Sequence, residues 1–133
     1  MAHFTNRRVV QHRPPVINRG TYIRKTEIDR LIAEFGAQQI VSFGAGSDTR
    51  PFYAPVAKYI ELDQSFVTSK KVRIVVKAKL CDGAISKGGS QFIGEHYEVH
   101  PVDLNNWQSV HDLLRERLDA SYYALTLGCR PYF

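Results

Sequence analysis

The sequence predicts an open α/β sheet, and three observations carry that prediction. Short β-branched runs end on glycines or acids: "QQIVSFGAG" at 38–46, "AKYIELD" at 57–63 and "HYEVHPVDL" at 96–104. Amphipathic helical patterns stand before the first run and after the third. At 133 residues and 44% hydrophobic, the chain has material for one core of this kind.

Taken in order, residues 1–20 are basic and hold the pair Pro14-Pro15, which predicts an extended arm or loop. A helix is expected over about 26–35. Thr26 is placed to cap it, Asp29 follows three residues on, and Ile28, Leu31, Ile32 and Phe35 form an apolar stripe. Gly36 is placed to stop it. The run at 38–46 reads as a buried strand feeding a tight turn, and 57–63 as a second strand closing on two acids. Residues 65–78 are ambiguous, because Ser65 suits a helix start while "VRIVV" is strongly β-branched. "GAISKGGSQ" at 83–91, with three glycines, reads as a loop. A third strand over 96–104 should end near Pro101. Asn105 or Asn106 then caps a helix with Trp107, Val110, Leu113, Leu114 and Leu118 on one side, where Trp107 reads as a core residue. "YYALTL" at 122–127 is a fourth strand candidate.

The charge is uneven. Residues 1–30 carry seven basic side chains against Glu27 and Asp29, whereas residues 31–133 carry eleven of each sign. The excess of +5 therefore belongs to an N-terminal arm, which reads as a solvated segment; nucleic acid is not favoured, because the body is neutral and carries no binding motif. Cys81 and Cys129 form no CxxC pair, so a reducing compartment is expected. No apolar run approaches the roughly 20 residues of a membrane span, and a cytoplasmic domain with no membrane partner is the reading.

Ligands of open α/β sheets bind beyond the carboxyl ends of the strands. There, Gly44 and Gly46 permit a sharp turn and close approach of a ligand, although Thr49 stands where the dinucleotide fingerprint needs its third glycine. Asp63, seventeen residues after Gly46, is spaced to accept from ribose hydroxyls, or else to begin the next helix. Glu61 is a weaker candidate for the same task. Asp103 with Leu104 suits an exocyclic amine and a purine ring, or alternatively a helix cap. Together these positions describe an adenosyl nucleoside site. The turn lacks the GK[ST] of a phosphate loop, so S-adenosylmethionine fits better than a nucleotide; its amino-acid carboxylate would need an arginine. The five histidines show no metal spacing: His96 and His100, four apart on a strand, do not face one point. No metal is expected.

The segments "PPVINRGTYIR", "IVSFGAGSDTR", "YIELD" and "VDL", in this order, resemble the leucine carboxyl methyltransferases over about residues 3–121. The resemblance implies a class I S-adenosylmethionine-dependent methyltransferase sheet of Rossmann-like type. It implies that Arg24 pairs with the cofactor carboxylate, Gly44 lines the cofactor turn, Asp63 holds ribose, and Asp103 with Leu104 holds adenine. Arg19 belongs to the pattern without a ligand role, while Asp48 and Thr49 fix the turn. The implied reaction methylates the C-terminal leucine carboxylate of the protein phosphatase 2A catalytic subunit. The related tRNA wybutosine-synthesising methyltransferase, and an inactive fragment of either, are the alternatives. Because family members are more than twice as long, the chain reads as a truncated member. Its expected parts are a basic arm at 1–20 and a partial methyltransferase domain at 21–133, with an atypical tail from about 122. An incomplete sheet of about four strands follows.

Overall fold

The computed structural model describes residues 15–44, 49–53, 58–122 and 124–128, with residues 15–24 described by backbone alone. The chain divides into two compact units, residues 1–36 and residues 37–133.

The first unit contains one helix, α1, Pro15–Phe35. The expected helix at 26–35 is therefore only its second half; of the expected arm, residues 15–20 are helical and residues 1–14 lie outside the described residues. Proline in a first helical turn removes an N–H that has no intrahelical acceptor anyway, so Pro15 begins the helix rather than blocking it. Gly20 in the interior costs about 1 kcal/mol relative to alanine, too little to break a helix of this length. Thr26 consequently lies mid-helix and caps nothing. Arg30 bridges Glu27 and Glu34 along the exposed side, and its hydrogen bond lowers the Glu27 carboxyl below the ordinary range. Of the expected apolar stripe, Ile32 is buried but Leu31 and Phe35 are exposed. Gly36, at φ +64°, ends the helix, its N–H donating to the Ile32 carbonyl at 3.1 Å.

The second unit is a six-stranded sheet, ordered β3-β4-β5-β2-β1-β6. Its parallel part comprises β1 (Gln39–Phe43), β2 (Lys58–Asp63), β5 (Tyr97–Pro101) and β6 (Ala124–Gly128). All four correspond to runs identified in the sequence, with bounds moved by one or two residues. An antiparallel hairpin extends the sheet beyond β5: β3 (Gly83–Ser86), a 3₁₀ turn (Lys87–Gly89) and β4 (Gln91–Gly94). This hairpin corrects the loop expected at 83–91 and raises the strand count from about four to six. Its glycines are strand and turn residues. A Cβ on Gly83 would stand 2.5 Å from the Phe92 ring, while Gly88 and Gly89 take the positive φ that the turn requires.

Helices α2 (Arg50–Tyr53), α3 (Ser65–Lys77) and α4 (Trp107–Arg117) connect the strands. Residues 65–77 resolve as helix because Thr68, Lys71, Val72 and Val75 are buried at helical spacing. The residue at the N-cap is Gln64, not Ser65. At α4 the Asn106 side chain accepts from the Ser109 N–H at 3.2 Å, as one of the two expected caps should. Val110 of α4 closes a core with Val41, Ile60 and Leu62, each burial stabilising by roughly 1.5–3 kcal/mol. Leu113, Leu114 and Leu118 pack at its margin. Trp107 does not join them: it is 67% exposed, with its ring 6.2 Å from that of Phe43.

Both faces of the sheet bury charge in closed networks. Below α3, the Glu61 carboxylate accepts from the Tyr97 hydroxyl and from Lys71 Nζ at 3.2 Å. On the α4 face, Arg117 donates twice to Glu98, at 2.7 and 2.9 Å, and Lys58 stands 3.2 Å from it. Nε2 of buried His100 lies 2.7 Å from Glu98, and its Nδ1 lies 2.8 Å from Gln91 Nε2. Burial opposes the Glu98 charge, but the hydrogen bonds from His100, Arg117 and Lys58 outweigh it and hold the carboxyl at about 2.

Candidate functional site

The strand order puts β1 between β2 and the edge strand β6. From β1 the chain winds outward through β2 and β5, then returns to the other side of β1 as β6. That reversal makes the carboxyl ends of β1 and β6 a topological switch point, the kind of place where open α/β sheets take ligands. Because β1, β2, β5 and β6 pair in parallel, the chain leaves each of them at the same edge of the sheet. The loops at this edge therefore carry the candidate residues.

Gly44 follows β1 directly. Its N–H donates to the Leu62 carbonyl at 2.8 Å and its φ is +69°, so the chain turns away from the sheet immediately after its last strand bond. A Cβ there would meet no described atom within 4 Å, so the positive φ is what favours glycine. Gly46 and Asp48 lie outside the described residues. The described chain resumes at Thr49, whose carbonyl accepts from the Phe52 N–H at 3.0 Å. Arg50, next in sequence, is 5% exposed, a buried guanidinium that the sequence patterns did not single out.

Asp63 closes β2 and is half-buried. One of its carboxylate oxygens accepts from the Gln64 N–H at 2.8 Å, and its carbonyl accepts from the Val102 N–H at 2.9 Å. The second bond ties the end of β2 to the loop after β5. In that loop Asp103 is exposed, with Oδ1 accepting from the Asn105 N–H at 2.9 Å. Leu104 is half-buried against the core cluster. Between the two strand ends lies an open groove of about 450 Å³, lined by Gln64, Ser65, Pro101, Val102 and Asp103. Both aspartates thus have one oxygen held by a nearby backbone N–H.

Glu61 is not part of this edge. Two residues earlier on β2, it points beneath α3 into the Tyr97–Lys71 network, with 2% exposure. Arg24 lies in α1, in the first unit, where only its backbone is described. His96 is exposed and His100 buried, so the two present their rings to different surroundings.

A central parallel sheet of order β5-β2-β1-β6, with a glycine turn after β1 and acids after its two outward neighbours, defines a Rossmann-like α/β protein. The sequence narrows the class: the family model described as leucine carboxyl methyltransferase matches residues 2–132, and this chain belongs to that family. It is 37% identical to leucine carboxyl methyltransferase 1 of Aspergillus fumigatus, over an alignment covering 69% of this chain and 29% of the relative. The corresponding protein of Schizosaccharomyces pombe is 33% identical over 70% of this chain and 35% of its own length. The leucine carboxyl methyltransferase 1 homolog of Arabidopsis thaliana is 33% identical over 77% and 36%. The chain spans about a third of the length of the curated relatives it matches.

Proposed function

We propose that this chain carries the cofactor half of a carboxyl methyltransferase, which uses S-adenosylmethionine to methylate the C-terminal leucine carboxylate of a protein. The protein phosphatase 2A catalytic subunit is the proposed substrate. The observation that carries the reading is the meeting of Gly44, Asp63 and Asp103 at one edge of a parallel sheet, in a chain of this family.

The residues suit an adenosyl group. Gly44 turns the backbone out of the way of a ligand above β1. Asp63, with one oxygen held by the Gln64 N–H, presents its carboxylate to ribose hydroxyls. Asp103 does the same for an exocyclic amine at the far side of the groove, and Leu104 backs that loop from the core. Arg24 is assigned the methionine carboxylate, a role its planar guanidinium suits.

The cofactor supplies an electrophilic methyl group on a sulfonium. A C-terminal carboxylate, with an ordinary pKa near 3.5, is already ionised at neutral pH and needs no general base. What the protein contributes is alignment of the nucleophilic oxygen and exclusion of water from it. The test is methyl transfer from labelled S-adenosylmethionine to a peptide ending in a free leucine carboxylate, against the same peptide amidated. Label in the free acid alone is expected; equal label in the amide, or label in tRNA instead, contradicts the proposal.

A further inference from the structure

Folding gathers a positive field that the linear charge count hides. From Gln64 to Cys81 the sequence holds Lys70, Lys71, Arg73, Lys77 and Lys79 and no acid. Lys71 is buried against Glu61, but the other four are exposed on α3 and the turn after it. Lys87, at the tip of the β3–β4 hairpin, adds a fifth exposed cation. Arg73 and Lys77 form no ion pair with any described residue.

Two of these cations, Arg73 and Lys77, line a groove of about 410 Å³ between α3 and the hairpin. Val72 and Val76 line its helix side and Ile85 its sheet side, with Gly88 and Gly89 at one end. Ile85, directly opposite Phe92, is 50% exposed. Its strand, β3, is the first in the sheet order and pairs only with β4 among the described residues. All four β3 residues are exposed, and none is charged or proline, the usual devices that block an open edge.

The geometry points to a docking surface for an extended, acidic segment of a partner protein, added as a strand along the open edge of β3. Backbone bonds to β3 supply affinity, and the side chains turned toward α3 supply specificity. Apolar ones enter between Val76 and Ile85, and carboxylates meet Arg73 and Lys77. A second copy of this chain does not fit the edge, because it would set Arg73, Lys77 and Lys87 against their own kind. Nucleic acid is disfavoured because no aromatic side chain lines the groove to stack on a base. An anionic membrane is disfavoured because Val72, Val76 and Ile85 line a concavity rather than project beyond the cations.

The test is fluorescence anisotropy of the whole chain with a labelled peptide, Thr-Leu-Thr-Glu-Thr-Leu-Thr-Glu-Thr, and with its Glu-to-Lys counterpart. Saturable binding is expected for the acidic peptide, with affinity at least about tenfold weaker for the basic one. Arg73→Glu with Lys77→Glu should reverse that preference, and Ile85→Ser should weaken both peptides, while the melting temperature stays within a few degrees. Amide exchange at Ala84, Ile85 and Ser86 should slow when the acidic peptide binds. No binding of the acidic peptide, equal binding of the two, or unchanged β3 exchange overturns the proposal. So does tighter binding of oligouridine, or of phosphatidylserine vesicles, that the acidic peptide does not compete.

Discussion

Asp63 and Glu61 show how two acids of one strand, two residues apart, come to different fates. Both side chains leave the same face of β2, but Glu61 lies under α3 and is consumed by Tyr97 and Lys71, while Asp63 stands at the strand end beside the groove. Spacing suggested the ranking; only the position of α3 explains it. Burial, followed by the nearby Glu61 charge, pushes the Tyr97 hydroxyl well above its usual range, so it remains a donor at any physiological pH. Glu98 offers a testable consequence at this scale. Its carboxyl titrates at about 2 when folded, against an ordinary 4.5, so its contribution is complete above pH 4.5 and is lost as pH falls toward 2. Glu98→Gln should cost about 2 kcal/mol at pH 7, and the gap to the parent should close between pH 4.5 and 2. Urea midpoints measured across that range check it; a pH-independent gap contradicts the assignment.

Elements differed in how openly the sequence announced them. The parallel strands and α4 are marked by β-branched runs and a clean apolar period, and they stand where the patterns put them. Helix α3 was hidden by "VRIVV", whose propensity is overridden by burial on a helical period that includes a lysine, Lys71. The start of α1 was hidden by a proline pair that ordinarily marks a loop. The β3–β4 hairpin was hidden by its glycines, and here the physical reasons separate. Gly83 is required by the Phe92 ring and the Ile93 carbonyl, which a Cβ would approach to 2.5 and 2.7 Å. Gly88 is required by its φ of +66° alone, with open space around it. Gly83→Ala should therefore destabilise by about 3 kcal/mol through overpacking, against about 1 kcal/mol for Gly88→Ala. Thermal unfolding of the two variants distinguishes them, and equal losses contradict the packing reading.

For the whole molecule, the sequence announced which residues stand at the strand ends better than it announced where charge collects. That Gly44, Asp63, Asp103 and Leu104 stand at or just beyond strand ends was legible, because the β-branched runs that precede them mark where the strands stop. The surface was not: residues 31–133 sum to zero, yet the fold sets Arg73 and Lys77 in the wall of one groove, with Lys70 and Lys87 exposed on the elements that flank it. Trp107 was misplaced for a related reason, since an apolar period cannot tell which end of a helix lies beyond the sheet it covers. The central claim is that the carboxyl edge of β1, β2 and β5 binds the adenosyl group. Calorimetric titration of the chain with S-adenosylhomocysteine, beside Asp63→Ala, tests it most directly. The account predicts measurable binding that weakens at least about tenfold in Asp63→Ala, with its melting temperature within a few degrees of the parent; affinity unchanged by the substitution would contradict it.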